Sequence, residues 1–198
     1  MPGPTIYYIR HGETEWNAQG RLQGGRDIPL NDLGRRQAVT AGLILGGLAR
    51  DRRGGQPLSF VASPLLRARV TMELVRGSLR LPPDDYAIDD RLREISYGNW
   101  EGATLAEAQL ADPAIFAARQ AEKWTVPPPC GESYAAAEAR MSEWYSQLSA
   151  DTVAVAHGGT ARALMVALRI ERPERAADLL IEQGAVYVFA EGGLRKHR

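Results

Sequence analysis

The triplet Arg10-His11-Gly12 follows the apolar run Thr5-Ile6-Tyr7-Tyr8-Ile9 and sets an imidazole beside a guanidinium where the chain can turn. A histidine in that position can serve as a nucleophile or as a hydrogen-bonded structural residue, and the triplet alone leaves both open. Two more segments have the same character. Leu58-Ser59-Phe60-Val61-Ala62 runs into Ser63-Pro64 with Arg67 shortly after, and Thr152-Val153-Ala154-Val155-Ala156 runs into His157-Gly158-Gly159-Thr160. Two imidazoles, two guanidiniums and a glycine pair opening a helix are groups that bind an anion. Arginine suits bidentate contact, and a helix start offers free N–H groups and a positive end. Phosphate is the natural guest.

These groups meet only if the elements carrying them are arranged to let them. The apolar runs read as strands, and parallel strands of an open α/β sheet bring their carboxyl ends together at the ligand crevice. The stretch from Arg10 to Ala38 is polar, carries five glycines and shows no apolar periodicity before a helix that Asn31 caps and that runs to about Arg50. Arg35, Arg36 and Gln37 are expected to face solvent on that helix. Residues 51–57 read as a surface turn. A second helix begins at Pro64, with Ser63 as its cap and Arg67 on its first turn, and ends near Leu79 before Pro82-Pro83. An irregular, aromatic and acidic segment follows from Leu92 to Gly102. Helices over about 104–123 and 132–149, separated by a proline-rich turn, are expected to form a small cap over the sheet. A helix that follows His157-Gly158-Gly159-Thr160 and reaches about Ile170, and a last strand over Ala185–Ala190, complete the pattern. Trp100 and Trp124 are expected to pack in the core or cap, and His197 to lie in a solvated tail.

Bulk properties exclude several function classes. With 198 residues the chain fits one α/β domain with a full core. Its 24 basic and 24 acidic residues leave no electrostatic footprint for nucleic acid or for a membrane surface. The start lacks the pattern of a signal peptide, and no apolar stretch approaches the roughly 18 residues of a membrane span. A soluble cytoplasmic protein is the expectation. The single Cys130 agrees with a reducing compartment. It does not read as a phosphatase nucleophile, because the position six residues on is Ala136 and not the arginine such a loop needs. Zinc-ligand spacing, a Walker A loop and a GxGxxG turn are absent, so neither a metal nor a nucleotide cofactor is expected.

Taken together, RHGETEWN, LQG, PLN with a glycine three residues on, SPLLRARVT, LREISYGNWEG and HGGTAR resemble the histidine phosphatase superfamily, whose best-known branch is the cofactor-dependent phosphoglycerate mutases. The likeness spans about residues 5–165 in the family's order. It implies a three-layer α/β/α sandwich with a mostly parallel central sheet and a helical cap excursion at about 103–131. It also implies roles. His11 would become phosphohistidine, and Arg10, Arg67 and His157 would hold the phosphoryl oxygens. Asn17 would donate to the same group, Gln23, Gly24 and the Gly158 amide would contact substrate, and Thr14 would line or support the pocket. Glu94 matches the general acid and base, although on spacing alone Asp90 and Glu101 are equal candidates.

In the mutase branch the segment after that acid resembles RHYG, and a longer, basic excursion grips the substrate carboxylate. Here the segment reads Ile95-Ser96-Tyr97-Gly98, and the excursion holds only Arg119 and Lys123 as cations. Metal-independent hydrolysis of a small phosphorylated metabolite is therefore expected over phosphoryl transfer between hydroxyls. A non-catalytic scaffold would have lost His11 or Glu94, and both are present. The oligomeric state is left open, a homodimer included.

Overall fold

The structure is a computed structural model that describes residues 3–50 and 57–198; most of the surface turn read at 51–57 lies outside the described residues. Strand β1 (Ile6–Arg10) leads through the short helix α1 (Glu15–Ala18) to α2 (Asp32–Arg50). Then come β2 (Ser59–Ala62), α3 (Leu66–Ser78) and the two-residue strand β3 (Ala87–Ile88). Two 3-10 turns, Asp90–Leu92 and Gly98–Trp100, precede α4 (Leu105–Ala111), α5 (Pro113–Ala121) and α6 (Tyr134–Ser146). The chain closes with β4 (Thr152–Ala156), α7 (Gly158–Ala167), α8 (Pro173–Ala176), β5 (Val186–Ala190) and β6 (Gly193–His197).

The strands lie in the order β3-β2-β4-β1-β5-β6. Strands β1 to β4 are mutually parallel, and β5 and β6 add an antiparallel edge. Because successive side chains of a strand point to opposite faces, the largely apolar and buried β1 and β4 feed two cores. Ile6, Tyr8, Ala154 and Ala156 pack toward α6 and α7 with Trp144, Met141 and Leu164. Tyr7, Ile9, Val153 and Val155 pack toward α2 and α3 with Leu45, Met72 and Val75. The result is a helix layer on each side of the sheet. Each large side chain buried this way contributes about 1.5–3 kcal/mol, so the central strands are the most firmly held part of the molecule, and the site hangs from their ends.

Four details differ from the sequence reading. The helix read over 104–123 is two, since Pro113 starts a new helix at Asp112. Helix α3 starts at Leu66, two residues beyond Pro64, and its first N–H groups are not capped by Ser63. His197 is no free tail residue but pairs with Val186 in β6. Gln37 turns inward, its side-chain oxygen accepting the Glu13 N–H at 2.8 Å. Trp100 and Trp124 are buried, their indole N–H groups donating to Asp112 and Glu138.

Candidate active site

The parallel register sets the site. Arg10 pairs with Ala156 and Ala62 with Val155, so β1, β2 and β4 end at one level and deliver His11, Ser63 and His157 to the same place. The His11 and His157 ring centroids are 5.1 Å apart. Together with Arg10, Asn17, Arg21, Gln23, Gly24, Arg67, Glu94, Tyr97, Gly158 and Arg162, His11 lines a cavity of about 190 Å³.

His11 lies at the cavity floor with 2% of its surface exposed. Its Nδ1 is 2.7 Å from the Gly12 carbonyl oxygen, which can only accept, so Nδ1 carries the proton. Nε2 therefore keeps its lone pair, and it accepts from Arg67 Nε at 3.3 Å. Burial, then the charges of Arg67 and Arg10, push the His11 pKa well below the usual histidine value, keeping the ring neutral. The turn that aims the ring is tight. A Cβ on Gly12 would meet the Gly34 carbonyl oxygen at 2.1 Å, so this loop can lie against α2 only without a side chain there. Thr71 secures it by accepting the Gly12 N–H at 3.1 Å while donating to the Arg67 carbonyl.

Arg67, on the first turn of α3, is fully buried and braced by the carbonyls of Arg26 and Gly24 at 2.6 and 2.8 Å. Burial lowers its pKa to about 10, so it stays charged at neutral pH. Arg10 donates one Nη to the Ile181 carbonyl at 2.7 Å, leaving its buried Nε without a partner. His157 pairs through Nε2 with Ser63 Oγ at 2.7 Å, and its buried Nδ1 is likewise unpartnered. Burial first, then Arg67 and His11, depress the His157 pKa as well. Gln23 Oε1 is a third orphan. A buried polar group left unpaired costs about 1–3 kcal/mol, and among the described residues three such atoms belong to residues at this one site. They mark where a ligand with matching donors and acceptors would bind.

Asn17 is held by its oxygen, which accepts from the Thr14 N–H at 3.2 Å and from Gln183 Nε2 at 3.0 Å, leaving the amide nitrogen for the cavity. Thr14 supports and does not line: it is buried and caps α1. Of the three candidate carboxylates only Glu94 reaches the cavity, with both oxygens accepting the Gly159 N–H at 3.0 and 3.2 Å. Glu101 instead holds the loop at Gly25, and Asp90 is exposed beside Arg93.

The sequence reading missed Ser63 as the partner of His157, and it gave no role to Arg162 or Arg21. Arg162 lies in the quoted HGGTAR segment, but its position is fixed by contacts far along the chain, to the Leu179 carbonyl at 2.8 Å and Tyr134 Oη at 3.0 Å. Burial pulls the Arg162 pKa down, but Tyr134, Tyr97 and Glu94 outweigh it and raise it overall. The strap 179–183 thus braces Arg10, Arg162 and Asn17 from one side. Among the described residues no cluster of three metal-ligating side chains forms, and no helix is long and apolar enough to cross a membrane.

The model of the histidine phosphatase superfamily (branch 1) matches residues 6–195. The chain belongs to this superfamily. Glucosyl-3-phosphoglycerate phosphatase of Mycolicibacterium vanbaalenii is 38% identical over 176 residues, 82% of this chain and 73% of that protein. A 2,3-bisphosphoglycerate-dependent phosphoglycerate mutase of Methylocella silvestris is 33% identical over 193 residues, 93% of this chain and 90% of that one. Among solved structures, a mycobacterial glucosyl-3-phosphoglycerate phosphatase superposes with a TM-score of 0.77 at 31% identity, covering 93% of this chain and 89% of that one. The alpha-ribazole phosphatase of Shigella flexneri gives 0.78 at 25% identity, over 96% and 93%. The superfamily's relatives named as phosphatases are hydrolases of phosphoric monoesters, and the architecture is theirs.

Proposed function

We propose that the cavity hydrolyses a small phosphomonoester, without a metal, through a phosphohistidine at His11. The observation that carries this reading is the state of the His11 ring: Nδ1 is spent on the Gly12 carbonyl, and a neutral Nε2 lone pair lies in the cavity beside a fixed cation.

A bound phosphoryl group lies among Arg10 Nε, Arg67, His157 Nδ1, Asn17 and the Gly158 amide. His11 Nε2 attacks phosphorus in line, the P–O bond to the alcohol breaks, and Glu94 in its acid form passes a proton to the leaving oxygen. Glu94 then takes a proton from water, whose oxygen attacks phosphorus and frees His11 and phosphate. The cations stabilise the equatorial oxygens throughout and are rigidly preset, which is where such sites gain most of their rate. Fixed guanidiniums supply the positive charge that a metal supplies elsewhere.

The pure protein is expected to turn over 4-nitrophenyl phosphate equally with and without a chelator. Chelator-sensitive turnover contradicts the metal-free route. No turnover until a bisphosphoglycerate primer is added, together with phosphate exchange between phosphoglycerates, would make the chain a mutase. No turnover under either condition would make it a scaffold.

A further inference from the structure

Beyond the Tyr97 ring lies a second cavity, of about 240 Å³, formed where α4 and α5 meet the body of the protein. It shares the Tyr97 wall with the phosphate cavity, and its other walls include Trp100, Leu105 and Phe116. Arg119 on α5 opens into it. This arginine is 7% exposed, yet among the described residues its buried Nε and one Nη have no hydrogen-bond partner. Its guanidinium carbon rests 5.9 Å from the Tyr97 ring centroid and 5.8 Å from that of Tyr134.

Ring faces attract a cation but offer no acceptor for its N–H groups, and a desolvated charge without an anion is among the costliest features a fold can keep. The other cation of the excursion, Lys123, lines the same cavity but is already paired with Asp178 at 2.5 Å. That pair is locally neutral, which leaves Arg119 as the uncompensated charge. Its position fixes geometry as well as sign. Tyr97 lines both cavities and Arg119 only this one, so an acceptor that meets Arg119 is set apart from the phosphate by the Tyr97 side chain.

We propose that this cavity is a leaving-group subsite that takes a second anionic group, such as a carboxylate, set apart from the phosphate by a spacer about one ring long, with Arg119 as its ligand. The subsite rests on the phosphomonoesterase reading of the main cavity. It refines that reading by requiring an extended dianionic substrate with an apolar or ring-shaped middle, in place of one whose two anions are separated by one or two carbons.

The test is equilibrium titration of phenylphosphonate, 4-carboxyphenylphosphonate and phosphonoacetate, none of which can be hydrolysed, into the wild-type protein and into Arg119→Gln. In the wild type the distant carboxylate should tighten binding about tenfold or more over phenylphosphonate, and phosphonoacetate should gain nothing comparable. In Arg119→Gln the ratio of the two aryl affinities should fall to near one; being a ratio within one protein, it is insensitive to a general loss of affinity. A wild-type ratio near one overturns the subsite alone, whether or not the variant folds, and so does a ratio that survives in Arg119→Gln. If the wild type binds none of the three, the phosphate cavity fails and the subsite with it, an outcome that absent 4-nitrophenyl phosphate turnover would mirror.

Discussion

The two ends of the sheet make a pointed contrast. At the carboxyl ends of β1, β2 and β4 lies a cavity of about 190 Å³, lined by the His11 imidazole, several guanidiniums and a carboxylate. At the opposite end is a roomier groove of about 500 Å³, walled by Pro4, Tyr145, Leu168, Ile170 and Phe189, where among the described residues Arg169 and Glu191 are the ionisable side chains besides the tyrosine. Size alone would choose the groove. What distinguishes the smaller cavity is polar atoms held buried and unpaired, an arrangement that costs free energy in the empty protein and is recovered when a ligand completes it. Strand direction explains the asymmetry: parallel strands send their following loops to one end, so the groups that can do chemistry accumulate there.

Substitutions at the two ends should therefore behave in opposite ways. The largest expected effect is His11→Ala, which removes the attacking atom and should lower kcat by about 10⁴-fold or more, as loss of a covalent nucleophile does; a residual rate within a hundredfold of wild type would break the contrast. Arg67→Ala should cost about 10²–10³ in kcat/KM through lost charge stabilisation, measured with 4-nitrophenyl phosphate.

The pH profile sharpens the same point. Because the His11 and His157 pKa values are depressed, both rings are neutral at pH 6.5, where a free histidine is half protonated. The sign follows: nucleophile competence is complete above the ordinary histidine pKa and is lost only when pH falls well below it. Ring ¹⁵N shifts should show both imidazoles neutral at pH 6.5. Titration of His11 at 6.5 or above would mean that the cavity does not depress its basicity.

Gln183→Ala should raise the Kd for inorganic phosphate by a few fold, because Asn17 loses one of the donors that pin its oxygen. In an Asn17→Ala background the same change should do almost nothing; additive losses would show that the strap acts by another route.

The smallest expected effect is at the far groove. Arg169 has φ +57° and occupies the left-handed position of a Schellman turn, where its N–H bonds to the Val166 carbonyl and that of Ile170 to the Met165 carbonyl. Arg169→Gly relieves that strain and should raise stability by up to about 1 kcal/mol with kcat/KM unchanged. A tenfold change in activity would mean that the two ends are coupled.

Which features the sequence revealed follows from how local their causes are. The apolar runs of β1, β2 and β4 and the glycines and polar residues after them are local signals, and they led to His11, Arg67 and His157. The resemblance singled out Glu94, while spacing could not separate it from Glu101. That choice depends on Gly159 approaching Glu94 and Gly25 approaching Glu101, contacts 65 and 76 residues apart. The same holds for Ser63, which looks like a helix cap in sequence and meets His157 across 94 residues. Strands β3 and β6 escaped because one has two residues and the other, Gly193–His197, carries Arg195 and Lys196 in place of an apolar alternation. In the sequence Arg119 counts only as one of two cations of the excursion; packing between α5, Tyr97 and Tyr134 makes it a buried one.

The most direct test of the account is to quench the protein with base during turnover of a phosphomonoester and map the phosphoryl group by peptide mass spectrometry. The account predicts one acid-labile phosphoryl group on His11, absent from His11→Ala and accumulating in a variant of Glu94 when the leaving group needs no protonation. Turnover at full rate with no phosphoryl group on His11 would contradict it, as would a phosphoryl group found on another residue.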